Sequence, residues 1–335
     1  GRGEEAGDVT GTPKWSTAEP STRLPDTPPA NLPPPTRREP GGRLAQRRAV
    51  HTGRVPEPTS FSVATVNLNG IRAAYRRGFA DWLEMRRPDV LLLQEVRADE
   101  SLAADLLGEE WDSTFHASSI KGRAGVGVAI RADSQSVARD QDAAVVRGLR
   151  EEEEPVDSGR WLEVDLVTAA GTRVRAVSAY FHAGQANHPK QDAKMAHMEP
   201  LSARFETLLA ESGDGPQALV GGDYNIVRSE QDIKNWKPNY NKTSGVLDEE
   251  IAYLNRWADQ GWVDVVRELA GPVQGPYSWW AWRGKAFDND AGWRIDYHYA
   301  TPQLGQSATS YVIDRAGSWD TRVSDHAPVT VTYRL

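Results

Sequence analysis

The stretch Leu219-Val220-Gly221-Gly222-Asp223-Tyr224-Asn225 constrains this chain more than any other. Ala218, Leu219 and Val220 read as a buried strand. Two glycines then allow the backbone to turn tightly. Asp223 and Asn225 follow two positions apart, so in extended backbone both side chains point to the same face. A carboxylate and an amide side by side at a strand exit can polarise a water and hold an anionic oxygen. Taken alone, the heptapeptide also fits an ordinary Asp/Asn turn, so its meaning depends on what the rest of the chain supplies.

Other segments end in the same way. Residues 61–68 (FSVATVNL) read as a strand closed by Asn67-Leu68-Asn69-Gly70, with both asparagines on one face. Residues 71–86 carry the apolar spacing of one amphipathic helix. Residues 89–95 (DVLLLQE) are an almost continuous apolar strand, the pattern of a strand covered on both faces, and they finish on Glu95. A carboxylate there is costly unless it is paired or metal-bound. A helix over 98–107, strands over 111–117 and 124–131, a hairpin of 160–167 with 172–181, and a long helix over 189–211 follow. The 219–225 strand leads to a Lys- and Asn-rich loop at 232–243 and a helix over 247–260. Residues 277–282 read as a Trp-heavy strand, 293–297 begin another, 311–314 form a short one, and 324–328 lead into a last strand at 329–333.

Composition narrows the chemistry. The chain has 335 residues and no cysteine, so disulfides, thiolate metal sites and cysteine nucleophiles are excluded. No apolar run approaches the roughly 18 residues needed to cross a membrane, and the N-terminal residues show no apolar signal core. A net charge of −8 argues against indiscriminate nucleic-acid binding, although a local basic rim can outweigh it. Eight of the 12 tryptophans fall between Trp236 and Trp319. Residues 1–58 are rich in Pro, Gly, Thr, Arg and Glu and too poor in apolar residues to offset the entropy of ordering, so they are expected to be disordered. Arg43, Arg47 and Arg48 form a short basic patch there, and the natural start is expected near Val50 or Val55.

The polar residues at strand exits form a set: Asn69, Glu95, Tyr180, Asp223, Asn225, Asp296, Asp325 and His326. In open α/β architectures, strand ends are where sites are built. The set offers oxygen ligands, one imidazole and no thiol, which suits Mg²⁺, with Mn²⁺ as a substitute, better than Zn²⁺. The reaction class that needs such a metal, a water-activating carboxylate and a His near an oxyanion is phosphate-ester hydrolysis.

These residues also carry a resemblance. VNLNGIR (66–72), LLLQE (91–95), GGDYN (221–225), GWRIDY (292–297) and SDHAPV (324–329) resemble, in order and spacing, the motifs of the exonuclease III / apurinic-apyrimidinic endonuclease family. The wider endonuclease/exonuclease/phosphatase superfamily shares the general series; GWRIDY and DIKNWKPN (232–239) point to its DNA-repair branch. The resemblance implies one α/β catalytic domain over 59–335, a four-layer α/β sandwich of two mixed sheets packed face to face with helices outside. It implies that Asn69 and Glu95 hold the metal, with Asp325 close by and Asp223 and Asn225 sharing in it. Asp223 would orient or deprotonate the attacking water, and Asn225 would hold that water and a phosphate oxygen. His326 would contact the scissile phosphate, Asp296 would fix its imidazole, and Tyr180 would approach the phosphate or leaving oxygen. Trp293, Ile295 and Trp279 or Trp280 would wall a pocket for a base-free deoxyribose, and Asn67 is placed on the substrate side.

The implied activity is 5′ incision at abasic sites in double-stranded DNA, with 3′→5′ exonuclease activity and repair of blocked 3′ ends. A monomer in the cytoplasm, nucleoid-associated in a prokaryote, is expected. Two departures stand out. His182-Ala183 follows Tyr180 where the family runs to Pro and then Asn or Gln, and Arg123 occupies a turn where relatives often carry an aromatic. Arg123 would favour backbone contact over stacking. Lys194, Lys234, Lys237 and Lys242 are expected to supply the basic rim. Two rivals remain at this level: a phosphoesterase acting on a lipid or small phosphate ester, and a DNA-binding module that kept the fold without the chemistry.

Overall fold

The computed structural model describes residues 59–335 and the backbone of Ser21–Thr22. The expected disorder of 1–58, the Arg43, Arg47 and Arg48 patch and the expected start near Val50 or Val55 otherwise lie outside the described residues. In chain order the strands are β1 (Ser21–Thr22), β2 (Ser60–Asn67), β3 (Val90–Gln94), β4 (Trp111–His116), β5 (Val126–Arg131), β6 (Val137–Arg139), β7 (Val146–Arg147), β8 (Trp161–Thr168), β9 (Arg173–Tyr180), β10 (Gln217–Asp223), β11 (Val263–Asp264), β12 (Asp296–Ala300), β13 (Ala308–Ile313) and β14 (Val329–Arg334). The helices are α1 (Ile71–Arg76), α2 (Phe79–Arg86), α3 (Glu100–Leu107), α4 (Pro189–Glu211), α5 (Trp236–Asn239), α6 (Asp248–Gln260), α7 (Val265–Ala270) and α8 (Pro302–Gln306).

One sheet runs β1-β13-β14-β2-β3-β5-β4; the other runs β11-β12-β10-β9-β8-β6, with β7 also paired to β8. Each is antiparallel except for one interior parallel pair, β2 with β3 and β9 with β10. Apolar residues on the inner faces, among them Val63, Leu92, Val128, Leu162, Ala176 and Leu219, interlock as the central core. The outer face of the first sheet packs under α1–α3 through Leu91, Leu93, Phe79 and Trp82. The outer face of the second packs under α4 and α6 through Val177, Val220, Phe205 and Trp257. Both faces of each sheet are therefore covered, which is why β3 and β10 read as unbroken apolar runs rather than alternating ones. The architecture is the four-layer α/β sandwich expected.

This topology delivers the site. Each parallel pair brings two C-terminal strand ends to one edge: Asn67 and Gln94 are register partners, as are Tyr180 and Asp223. β12 and β14 run antiparallel to those pairs, so their N-terminal ends, with Asp296 and the Ser324–His326 segment, reach the same edge.

Local expectations change in three places. Gly221 and Gly222 lie inside β10, not in a turn. A Cβ on Gly221 would come within 2.4 Å of Leu92 Cδ1 in the facing sheet, and one on Gly222 (φ 153°) within 1.8 Å of the Ala179 carbonyl oxygen. The glycines serve close approach of sheet to sheet and strand to strand. The single helix expected over 71–86 is two, because Gly78 adopts a left-handed φ of 94° between α1 and α2. Residues 277–282 form no strand; Trp279 makes only isolated bridges to Trp293 and His326. The indoles of Trp279 and Trp280 are instead tied to Asp325 and Asp290.

Candidate active site

Three residues at the strand exits, Asn69 (φ 45°), Glu95 (φ 48°) and Asn225 (φ 51°), adopt left-handed backbone without being glycine. Such strain persists only where surrounding contacts over-determine it, and here they do. The Asn69 amide hydrogen goes to Asn67 Oδ1 (3.0 Å), and its side chain donates to Asp325 Oδ1 (2.9 Å). Gly70 N donates to the Glu95 carbonyl (2.8 Å). Asn225 N donates to Asp223 Oδ1 (2.9 Å), and its side chain donates to the Phe181 carbonyl (3.0 Å) and to Asp223 Oδ2 (3.2 Å).

Asn67 sits at the centre. Its side-chain nitrogen donates to Glu95 Oε1 (3.0 Å) and to Asp223 Oδ2 (2.9 Å), joining one sheet's carboxylate to the other's. It is fully buried, so it is placed to position those two acids rather than to touch substrate, a correction to its expected place. Glu95 also pairs through its outer oxygen with the exposed Arg97.

His326 lies between carboxylates. Nδ1 is 2.9 Å from Asp296 Oδ2, and Nε2 faces Asp223 Oδ2 at 3.7 Å. Asp296 is held by the Ser278 hydroxyl, which donates to its Oδ2 at 2.6 Å. Burial opposes the imidazolium, but the charges of Asp296, Asp223 and Asp325 overcome it and raise the His326 pKa to about 10. Burial pushes Asp223 up to about 8, aided by the Asp296 and Glu95 charges and opposed by His326. Burial also acts against Asp325, yet the His326 charge and hydrogen bonds from Trp279 and Asn69 hold its carboxyl below the ordinary range. Tyr180 is kept a neutral phenol, raised well above its usual pKa by burial and then by Glu95 and Asp223. The Arg160 guanidinium lies over its ring, 4.8 Å from the centroid.

These groups open into a cleft of about 490 Å³ lined by Glu95, Tyr180, Asn225, Asp325 and His326 on its polar side. Trp279, Trp293 and Ile295 form its apolar side, with the two indoles edge-to-face at 5.5 Å. Ala183, Gly184 and Lys242 complete the rim. Carboxylate or imidazole atoms of Glu95, Asp223 and His326 lie within 4.8 Å of one another, but the protonated imidazole has no lone pair to give, so a cation here would rest on the carboxylates. With Asn69 and Asp325 adjacent, the donors are chiefly hard oxygens, the set that suits Mg²⁺ or Mn²⁺.

The remaining expected residues separate. Arg123, Lys234, Lys237 and Lys242 are exposed. Lys194 is not on a rim: it is buried, ion-paired to Glu250 at 2.8 Å and donating to the Asn225 carbonyl at 2.9 Å. It therefore props the Asn225 loop from behind. Residues the sequence reading missed are Arg160, Ser278 and Arg294; the pairing of Glu95 with Arg97 is one the sequence allowed. Fully buried Arg294 grips Asp232 (2.7 Å) and both oxygens of Asp264 (2.8 Å each), so the GWRIDY and DIKNWK segments are two halves of one ion cluster. A basic residue inside an apolar segment such as WRIDY was the available signal.

A model of the endonuclease/exonuclease/phosphatase family matches residues 64–326, from β2 through His326. The chain belongs to that family. Within it, the chain is 28% identical over 270 residues to an exodeoxyribonuclease of Bacillus subtilis, covering 80% of this chain and 98% of that protein. It is 24% identical over 281 residues to a DNA-(apurinic or apyrimidinic site) endonuclease of Dictyostelium discoideum, covering 83% and 72%. Among solved structures, a 3′-5′ exonuclease from Neisseria meningitidis superposes with a TM-score of 0.66 at 25% identity, covering 81% of this chain and 99% of that one. An AP endonuclease from Archaeoglobus fulgidus, at 24% identity, gives the same TM-score over 82% and 99% and shares the fold.

Proposed function

We propose that this cleft hydrolyses DNA phosphodiesters, incising 5′ of abasic sites and trimming or cleaning 3′ ends. The observation that carries the reading is the Asp296–His326–Asp223 array beside Glu95, facing an apolar wall of Trp279, Trp293 and Ile295. The names of the relatives, DNA exonucleases and abasic-site endonucleases, support it.

Asp223, fixed by Asn67 and the Asn225 backbone, is the group set to orient a water and take its proton. A pKa near 8 places it where a general base works at neutral to mildly alkaline pH. His326, held protonated against Asp296, donates from Nε2 to a non-bridging phosphate oxygen as negative charge builds. Tyr180, a neutral phenol, supplies a further donor at the same wall, and Asn225, whose amide hydrogens go to Phe181 and Asp223, offers its Oδ1 to the water. Glu95, Asn69 and Asp325 would hold Mg²⁺ or Mn²⁺, with Asp223 and Asn225 sharing in it; when bound, the ion would polarise the phosphate and neutralise charge on the oxygens. The tryptophan wall accepts a sugar lacking its base and leaves the polar edges of an intact nucleotide unpaired. Exposed Lys234, Lys237, Lys242 and Arg123 would meet the backbone, so binding reads shape more than bases.

The test is a labelled duplex carrying one abasic-site analogue, run beside its undamaged match with Mg²⁺ and with EDTA. Metal-dependent cleavage 5′ of the lesion alone supports the abasic-site activity. Shortening of both duplexes from the 3′ end makes exonuclease the main activity. No cleavage with Mg²⁺ or Mn²⁺ overturns the reading and favours a small-ester or lipid phosphatase.

A further inference from the structure

A second cluster of metal-ligating side chains lies outside the cleft. Asp157 comes from the turn before β8, His182 from just beyond β9, and His197 from the third turn of α4. One ligand atom from each lies within 4.8 Å of the others. His182 Nε2 is 2.7 Å from Asp157 Oδ1, and the two imidazoles meet edge-to-face with centroids 5.0 Å apart.

His197 is the informative member. It is 4% exposed, and neither ring nitrogen has a hydrogen-bond partner among the described residues. An imidazole buried without any partner costs free energy at both nitrogens. It is also aimed at a second imidazole and a carboxylate, the pairing a first-row transition metal uses. Tetrahedral sites with bonds of 2.0–2.1 Å space their ligands about 3.3 Å apart, a spacing that falls between the 2.7 Å of His182 Nε2 to Asp157 Oδ1 and the 4.8 Å limit of the triad. Nearby cations bear on which ion. Arg160 and Lys194 both act electrostatically on His182, and Arg150 and Arg160 on His197. A hard ion held by charge alone is disfavoured there, whereas an ion that bonds to imidazole nitrogen is not.

We propose that Asp157, His182 and His197 bind one zinc-class divalent ion, at a site distinct from the catalytic cleft. Two imidazoles and a carboxylate give three protein ligands and leave a fourth position for water. Asp157 is partly open to solvent, with 17% of its side chain exposed, which provides entry. The site ties the 155–159 turn, the exit of β9 and α4 together. Its departure residue, His182, stands two positions after Tyr180 and next to Ala183 of the cleft. The ion would thus brace the strand end that carries Tyr180.

The experiment uses the full chain, stripped with chelator and titrated with Co²⁺, then Zn²⁺. Wild-type protein and Glu95→Gln should each show the visible band of four-coordinate Co²⁺, saturating at one equivalent and displaced by Zn²⁺. His197→Gln and Asp157→Asn should lose the band. Zn²⁺ near 100 times its Kd should raise the Tm of Glu95→Gln by about 5 °C and leave that of Asp157→Asn unmoved. Asp157→Asn is the control against misfolding, since its side chain is partly exposed and its far-UV spectrum checks the fold. A band that disappears in Glu95→Gln but survives in His197→Gln and Asp157→Asn would overturn the site, as would wild-type protein that binds no stoichiometric Co²⁺.

Discussion

At the scale of single residues, the cleft works by making neighbours hold each other in unusual protonation states. His326 has a pKa of about 10 because three carboxylates outweigh its burial. Asp296→Asn removes the first of these charges, so the His326 pKa must fall toward or below its ordinary 6.5. If the protonated imidazole is the active form, the alkaline limb of the pH–rate profile should move to lower pH, and kcat should drop roughly 10²–10⁴-fold. An unchanged alkaline limb would separate His326 from the chemistry. Asp223→Ala removes the proposed base altogether; turnover should fall at least about 10³-fold while binding of an abasic duplex, measured by fluorescence anisotropy, stays within a few-fold. Equal loss of binding would make Asp223 an anchor rather than a base. Asp223 was legible in the sequence because a polar residue ending an apolar strand has few reasons to be there, whereas His326, which precedes β14, was legible from the SDHAPV segment. Asn67 was visible too, but its role was not: that its side chain reaches across to the other sheet's Asp223 depends on how the sheets pack.

At the scale of elements, strands were easier to read than the devices between them. Continuous apolar runs marked β3 and β10, because both faces of each sheet are covered. β6, β7 and β11 are two or three residues long and carry no period. Ion clusters were also invisible, since partners distant in sequence meet only after folding. Lys194 looked like a solvent-facing lysine on α4, but Glu250 of α6 draws it inside. Arg294 is the stronger case, joining the start of α7 and the loop before α5 to the segment that leads into β12. Arg294→Met would leave Asp232 and Asp264 buried, with Arg267 and Arg228 as their remaining partners. Breaking one side of such a cluster typically costs about 3–5 kcal/mol. Urea denaturation should show the midpoint falling with little change in slope; a loss under about 1 kcal/mol would mean that the flanking arginines suffice.

At the scale of the whole molecule, stability depends on the face where the two sheets meet, and that face is not purely apolar. Gln94 of β3 donates to the Ser178 hydroxyl of β9 (3.0 Å), and Ser178 donates back to the Leu93 carbonyl (2.8 Å). His298 of β12 reaches β14, with Nε2 3.1 Å from the Val329 carbonyl and Nδ1 3.2 Å from the Tyr333 hydroxyl. Since a carbonyl only accepts, Nε2 carries the proton, and Tyr333 donates to Nδ1. This neutral tautomer locks the sheets, and it sets a pH limit. Burial lowers the His298 pKa to about 4, against a small opposing effect of the Val329 carbonyl and Asp264. The unfolded chain takes up this proton near pH 6.5, before the folded one does, so folding is penalised progressively as pH falls from about 6.5 to about 4. The penalty levels off below that, at on the order of 3 kcal/mol. His298→Gln keeps a donor for the Val329 carbonyl and cannot protonate. It should lower stability at pH 8 by about 1–2 kcal/mol yet flatten the decline between pH 6.5 and pH 4, so that the two stability curves converge or cross on the acid side. Parallel curves in chemical denaturation at pH 8, 6 and 4.5 would show that His298 does not titrate with folding, and the acid limit would then belong to the other buried histidines.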